Sequence, residues 1–203
     1  MRARSALRSR SSRGDAAARR WAIPNREAVE RAAAELIRSL GLDSKLEPEL
    51  AKTPERIASL YAEIFSGLDP ASAPELESFP RAGSDDEIVV VRDIPFHSLC
   101  VHHFVPFFGR ASIAYAPAKR IVGISGPARL VEHYARRPQL QERMTAQIAD
   151  HLQRAVEPRG IAVKLRARHL CMEMRGIRRY GMVETRVVRG VMAEGPWAST
   201  GLD

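Results

Sequence analysis

The residues with the clearest chemical meaning are two short cysteine–histidine motifs in separate parts of the chain. The first, Cys-Val-His-His, runs from Cys100 to His103, and the second, His-Leu-Cys, runs from His169 to Cys171; they contain the only two cysteines of the 203 residues. Thiolate and imidazole are preferred zinc ligands, and three protein ligands leave a fourth tetrahedral position open, as catalytic sites require. We therefore predict that both cysteines and His103 bind zinc. The remaining histidines, His102 and His169, are candidates for proton transfer.

Composition limits the class of protein in which this site would lie. A hydrophobic content of 45% in 203 residues predicts one domain of ordinary size with a helical extension. No apolar run approaches the ~20 residues of a membrane span, and no apolar segment follows the basic N-terminus as in a secretory signal. Two cysteines do not make a disulfide framework, so we predict a cytoplasmic protein with thiols free for metal. The alternative is that both cysteines are simply buried apolar residues.

Most of the positive charge lies in an N-terminal tail. Seven arginines against one aspartate in residues 1–20 account for +6 of the net charge of +8. Because this segment also has few apolar anchors, we predict a disordered basic tail over residues 1–23. It is either a solvated arm or a contact for nucleic acid or an acidic partner. The nearly neutral remainder argues against specific nucleic-acid recognition, and no membrane partner is expected.

The segment 24–86 is predicted to be an N-terminal helical region. Asn25 opens a helix with one apolar face that Gly41 stops. A second helix is expected to begin with Thr53 as N-cap and Pro54 at the first helical position. Residues 68–86, rich in proline, serine, alanine and acidic residues, are predicted to form a connecting loop.

Residues 87–203 are predicted to form the catalytic domain. The patterns predict strands at 88–91, 104–115, 119–123, 161–169 and 183–191, and helices at 127–137 and 138–156. Pro138 separates the two helices. Strands, then two helices, then further strands, all following the two N-terminal helices, indicate an α+β fold dominated by antiparallel pairs.

Several segments resemble GTP cyclohydrolase I, a zinc-dependent family. The similar segments are His97–Arg110, Gly123–Ser125, Gln141–Arg143, His169–Gly176, and Thr53–Arg56 followed by Glu63–Asp69. The match runs in order from about residue 26 to 195 without large gaps. It implies the tunnelling fold, in which an antiparallel sheet with helices on one side forms a barrel across subunits. It also implies a homo-oligomer, a decamer of two pentamers with sites between subunits.

The resemblance implies a reaction and a set of roles. The family opens the imidazole ring of the guanine in GTP at C8, releases formate, rearranges the ribose and closes a dihydropterin ring. Zinc would supply hydroxide by lowering the pKa of water. His169 would protonate the imidazole nitrogen, His102 would shuttle protons, and Ser125 would hydrogen-bond the ribose or a phosphate oxygen.

The resemblance also assigns substrate-binding residues. Glu142 is similar to the carboxylate that accepts from guanine N1–H and the 2-amino group together, and Gln141 precedes it. Arg129 and Arg175 resemble phosphate-binding arginines, and Arg56 belongs to the matching N-terminal helix.

This sequence departs from the family at positions that would bind phosphate. Gly126 and Ser59 stand where lysines are usual, and Val101 replaces a glutamate inside the first motif. Losing two charge-assisted bonds of roughly 1.5–3 kcal/mol each would weaken triphosphate binding by about two to four decades. We therefore predict a guanine substrate with fewer phosphates, unless Arg178 and Arg179 replace the charge. The alternatives are a cyclohydrolase of ordinary specificity, and a non-catalytic paralogue that binds a purine or pterin or partners a true cyclohydrolase.

Overall fold

A five-stranded sheet organises the chain. The computed structural model describes residues 23–83, 87–194 and 202; the predicted tail, apart from residue 23, lies outside them. The elements are α1 (Arg26–Ser39), α2 (Thr53–Ile64), β1 (Ser78–Pro80), β2 (Val89–Cys100), β3 (Pro106–Ala116), β4 (Arg120–Val122), α3 (Ser125–Ala135), β5 (Pro138–Gln139), α4 (Gln141–Val156), β6 (Gly160–His169), α5 (Leu170–Glu173) and β7 (Met182–Gly190). Short 3₁₀ turns lie at Pro48–Lys52, Ser66–Leu68, Pro70–Ser72 and Val191–Ala193.

The sheet has the order β5-β2-β3-β6-β7, and all its neighbours are antiparallel except β2 and β5. Alternate residues of β3 and β6, such as Ile113 and Val163, are fully buried beneath the helices. Met144, Ile148 and Leu152, which recur every four residues on α4, cover them with no exposed surface. The predicted α+β class with helices on one side of an antiparallel sheet is therefore confirmed.

The start of α1 agrees with the sequence prediction, whereas the start of α2 differs from it. The Asn25 side chain accepts a hydrogen bond from the backbone N–H of Ala28 at 3.0 Å, which confirms it as an N-cap. Thr53 is not an N-cap, because the 3₁₀ turn Pro48–Lys52 runs directly into α2 and places Thr53 inside the helix. The chain there needs no capping side chain, since the preceding turn already continues its hydrogen bonds.

The strand predictions were incomplete in ways that matter for the site. β2 extends to Cys100, well past residue 91, because a bulge with Asp93 at φ 57° lets the strand resume at Ile94. Strand β4 pairs with β1, which lies inside the predicted loop 68–86, rather than with β3. The two residues after Arg137 form the short strand β5, so the second long helix begins only at Gln141. Among the described residues, no helix is both long and apolar enough to span a membrane.

A buried histidine ties the 66–72 segment to α3. His133 is 8% exposed, and its Nδ1 lies 3.2 Å from Ser72 Oγ while Arg137 donates to Nε2 at 2.6 Å. Since a guanidinium only donates, Nε2 accepts and Nδ1 carries the proton. Burial, helped by the positive charge of Arg137, lowers the pKa of His133 to about 4.

This histidine predicts a loss of stability in mild acid. Because its folded pKa lies below the ordinary value of 6.5, the unfolded chain binds the proton first as pH falls. The stabilisation from neutral His133 is complete above about pH 6.5 and is lost between about pH 6.5 and 4. The free energy of unfolding then falls by about 2–3 kcal/mol. Urea unfolding of the protein at pH 7.5 and 5 should show this loss, and His133→Gln should reduce it. An equal pH dependence in His133→Gln and in the control His97→Gln, whose exposed ring stacks on Phe108, would contradict the prediction.

Candidate metal centre and substrate site

The candidate metal ligands meet where β2 and β6 end. Cys100 is the last residue of β2, and a turn then carries His103 back over it. Cross-strand pairing of Phe107 with His169 brings the end of β6 beside the start of β3, and Cys171 follows on the short helix α5. The ligand atoms of Cys100, His103 and Cys171 all lie within 4.8 Å of one another. The structure therefore assembles the three residues that the sequence predicted as ligands.

The chemistry of this group fits a zinc ion. Cys100 Sγ lies 3.9 Å from His103 Nδ1, close to the ~3.6 Å expected between sulfur and nitrogen ligands of tetrahedral zinc. Both cysteines are free thiols. Burial, together with the neighbouring Cys100, raises the pKa of the Cys171 thiol. A divalent cation relieves this penalty because it binds both sulfurs as thiolates in place of protons.

The two adjacent histidines of the first motif are distinguished by geometry. His102 Nδ1 is also near Cys100 Sγ, at 3.8 Å, but only His103 belongs to the group whose atoms converge with Cys171. The side chain of Arg175, predicted to bind phosphate, donates to His103 Nε2 at 2.6 Å. A metal on Nδ1 places the ring proton on Nε2, so this contact and metal binding are alternatives. Arg175 would have to turn away for a metal to be held at Nδ1 of His103.

His169 is held beside the ligands by two contacts. Its ring stacks on Phe107, with centroids 4.7 Å apart and planes 5° from parallel, and its Nε2 lies 2.7 Å from Oε1 of Gln141. Burial lowers the pKa of His169, while the nearby Glu142 and Glu173 act in the opposite direction. A lowered pKa favours the neutral ring, in which one nitrogen carries a proton and the other can accept one.

The other predicted substrate residues are exposed. Glu142 lies in the first turn of α4, and Ser125 is the first residue of α3. Arg129 lies one turn further along α3 beside a cavity of about 280 Å³, and Arg56 lies on α2. Among the described residues, no hydrogen bond or ion pair connects Ser125, Arg129 or Arg56 to the metal ligands. Their substrate contacts remain predictions.

Gln141, predicted to bind substrate, is turned into the protein interior. The side chain is 2% exposed, and both ends of its amide are hydrogen-bonded inside the protein, so its substrate contact stays a prediction. Phe107 and the two threonines near Gln141, Thr145 and Thr185, were missed at the sequence level. Their place near the site is evident only from contacts between residues far apart in the sequence, although Phe107 lies within the His97–Arg110 segment that resembles the family.

One large apolar cavity lies away from the ligands. It has a volume of about 760 Å³ and separates α2 and α3 from β2, with an apolar lining that includes Tyr61, Phe96 and Phe104. None of the three metal-ligand residues lines it. We therefore assign the chemistry to the ligand group and not to the cavity.

An antiparallel sheet with helices on one side, ending in a Cys/His/Cys group with a half-buried histidine beside it, defines a tunnelling-fold protein with a candidate metal centre. The family model described as GTP cyclohydrolase I matches residues 29–200. The chain belongs to the GTP cyclohydrolase I family. It is accordingly a GTP cyclohydrolase I-like enzyme.

Curated relatives match over most of their length. The chain is 47% identical to GTP cyclohydrolase 1 of Streptococcus thermophilus over 176 residues, which cover 85% of this chain and 92% of the relative. It is 42% identical to the Bacillus subtilis enzyme over 172 residues, covering 84% and 90%. The enzyme of Carboxydothermus hydrogenoformans is also 42% identical, over 171 residues that cover 83% and 88%.

Proposed function

We propose that this enzyme uses zinc held by Cys100, His103 and Cys171 to open the imidazole ring of a guanine compound at C8 and release formate. The observation that carries the proposal is the convergence of these ligand atoms within 4.8 Å, with His169 fixed alongside. Bound zinc would supply Lewis acidity and lower the pKa of a coordinated water, which is the nucleophile that attack at C8 needs.

The protein's own residues provide binding and proton transfer. His169 donates a proton to the imidazole nitrogen as the ring opens, and exposed His102 exchanges protons with solvent. Glu142 accepts hydrogen bonds from guanine N1–H and the 2-amino group, which orients C8 toward the ligand group. Ser125 bonds the ribose or a phosphate oxygen.

The structure bears on the two positions where family lysines are absent. A Cβ at Gly126 would lie 2.5 Å from Cγ1 of the buried Val122, so this position is closed to a larger side chain unless Val122 shifts. Ser59 instead accepts a hydrogen bond from the guanidinium of Arg26 at 2.9 Å. Arg26 therefore places a positive charge beside Ser59, although the carboxylate of Glu55, 3.7 Å away, partly offsets that charge. Gly126 therefore offers no cation where the family has a lysine, which supports a substrate with fewer phosphates unless Arg178 and Arg179 replace the charge.

A substrate panel tests this proposal. Formate release and product absorbance would be followed with GTP, GMP, guanosine and guanine at equal concentrations. We expect kcat/KM for GMP or guanosine to equal or exceed that for GTP. In Arg26→Ala, the value for GTP should fall by about tenfold relative to guanosine, since one charge-assisted bond is removed. Rapid turnover of GTP alone would contradict the altered specificity.

We also propose that the enzyme is a homo-oligomer, a decamer of two pentamers. Among residues 87–194, β7 pairs only with β6, and the outer side of β2 is paired only at Leu99 and Cys100. Such open edges favour pairing with further strands, and a second copy supplies them. The exposed Ile177 and Tyr180 lie next to β7 and would be covered by the same contact. Native mass spectrometry would measure the subunit number.

A further inference from the structure

The side-chain amide of Gln141 connects His169 to the buried interior of the sheet. Its Nε2 lies 3.1 Å from each of three oxygens, the backbone carbonyls of Leu165 and Val183 and the hydroxyl of Thr185. Its Oε1 lies 2.7 Å from Nε2 of His169. Because Gln141 is 2% exposed, water does not compete for these bonds.

The chemistry of the surroundings fixes which way this amide points. Two of the three groups near its Nε2 are carbonyls, which only accept. The third also accepts, because Thr145 donates its hydroxyl proton to the carbonyl of Gln141 at 2.7 Å and so receives the proton of Thr185 at 2.6 Å. An amide turned the other way would place its oxygen against three acceptors, at a cost of buried unsatisfied groups.

The orientation of the amide in turn decides the state of His169. An amide oxygen only accepts, so Nε2 of His169 must donate and therefore carries the ring proton. Turning the ring over would keep the stack on Phe107 but put Cε1 where Nε2 now lies, and the hydrogen bond to Gln141 would be lost. Among the described residues, the other ring nitrogen, Nδ1, has no hydrogen-bond partner. In the neutral ring, Nδ1 is thus the basic atom available to substrate or water, and it must take up a proton before it can donate one to the substrate.

We infer that Gln141 is a positioning residue that sets the Nε2–H tautomer of His169 and thereby makes Nδ1 the nitrogen that exchanges protons in the reaction. The inference rests on the proposed function, because His169 moves protons only if that function holds. Gln141 acts through His169, and its side chain does not touch the substrate.

The tautomer of His169 is the direct test. Magic-angle-spinning NMR of zinc-loaded protein with ¹⁵N-labelled histidine distinguishes protonated from unprotonated ring nitrogens, and the signal missing in His169→Gln identifies the residue. We expect a single Nε2–H tautomer in the unmodified protein and a mixture in Gln141→Met. A protonated Nδ1 in the unmodified protein, or an unchanged tautomer in Gln141→Met, would overturn the inference.

Two further variants separate positioning from a general loss of structure. Gln139 is a matched control: it is 1% exposed, hydrogen-bonds through both ends of its amide, and does not contact His169. Gln139→Met should leave the tautomer of His169 unchanged. Gln141→Glu, protonated in this buried place, keeps a carbonyl oxygen toward His169 and should preserve the tautomer. Loss of the Nε2–H state in Gln139→Met would show that any buried disturbance has this effect and would count against Gln141.

Kinetics then distinguish the inference from the proposed function. We expect Gln141→Met to lower kcat by about ten- to hundredfold with KM within about threefold, because it misdirects a proton without removing a substrate contact. Gln141→Glu should recover most of this loss. If the tautomer shifts in Gln141→Met while kcat is unchanged, the proton-transfer role of His169 fails although Gln141 still sets its tautomer. If kcat falls without a tautomer change, the positioning role fails.

Discussion

Replacing Cys171 with alanine is expected to remove the bound zinc and to lower formate release by at least about a thousandfold, since the metal contributes several kcal/mol to such a reaction. The sheet should remain folded, because Cys171 is only half-buried on the short helix α5, outside the central strands. Elemental analysis measures the zinc, and circular dichroism checks the fold. A Cys171→Ala protein that keeps one zinc per chain and its activity would contradict the ligand assignment.

The adjacent histidines give a sharper version of the same experiment. His103→Gln should lose zinc, whereas His102→Gln should keep zinc and lose turnover, because only the atoms of His103 converge with both cysteines. His97→Gln is the matched control, since this exposed ring belongs to the same segment but stacks on Phe108 outside the ligand group. If His102→Gln lost zinc and His103→Gln kept it, His102 would be the ligand and His103 the proton-transfer residue. A protein without zinc and without formate release before any substitution would favour the non-catalytic alternative.

The ligand group was predictable because its chemistry is carried by residue type. Cysteine close to histidine, twice in a chain with two cysteines, is a spacing typical of metal ligands, and the structure brings the three residues together. The sequence cannot show that Arg175 contacts His103 in the structure. That contact depends on the path of the chain after α5, which no local pattern encodes.

The fold was predictable where periodicity is strong and local. The alternation in β6 and the four-residue repeat of α4 indicate a strand and a helix that share one buried face, and both are present. Pairing was less predictable, because β1 and β4 are only three residues each and belong together through a long-range contact. The extension of β2 to Cys100 depends on a bulge at Asp93, which has no sequence signature.

The role of Gln141 shows what residue identity alone leaves undecided. A glutamine before a glutamate that is expected to bind guanine predicts a substrate contact, yet its side chain is buried among Leu165, Val183 and Thr185. Adjacent residues at the start of α4 point in different directions, so Gln141 turns into the core while Glu142 remains exposed. Helical geometry therefore separates two residues that the sequence placed together.

Glu142 remains free for recognition, and its replacement tests whether the substrate is a guanine compound at all. Glu142→Ala is expected to lower kcat/KM for the best guanine substrate by about a hundredfold to ten-thousandfold, because two charge-assisted bonds of roughly 1.5–3 kcal/mol each are lost. The hypoxanthine analogue with the same ribose and phosphates lacks the 2-amino group. The unmodified enzyme should therefore prefer guanine over hypoxanthine by at least about tenfold, and Glu142→Ala should lose most of this preference.

Asp150 provides the matched control for the carboxylate of Glu142. It lies on the same helix, and its carboxylate pairs with Arg189 at 2.5 Å. Asp150→Asn therefore removes a negative charge from α4 without altering Gln141, which contacts His169. Asp150→Asn should retain the guanine preference. If Glu142→Ala kept that preference, base recognition would have to come from other groups, and the orientation of C8 toward the ligand group would lose its anchor. Because the preference is a ratio between two substrates, it is insensitive to partial loss of zinc or of folded protein, which lowers both rates equally.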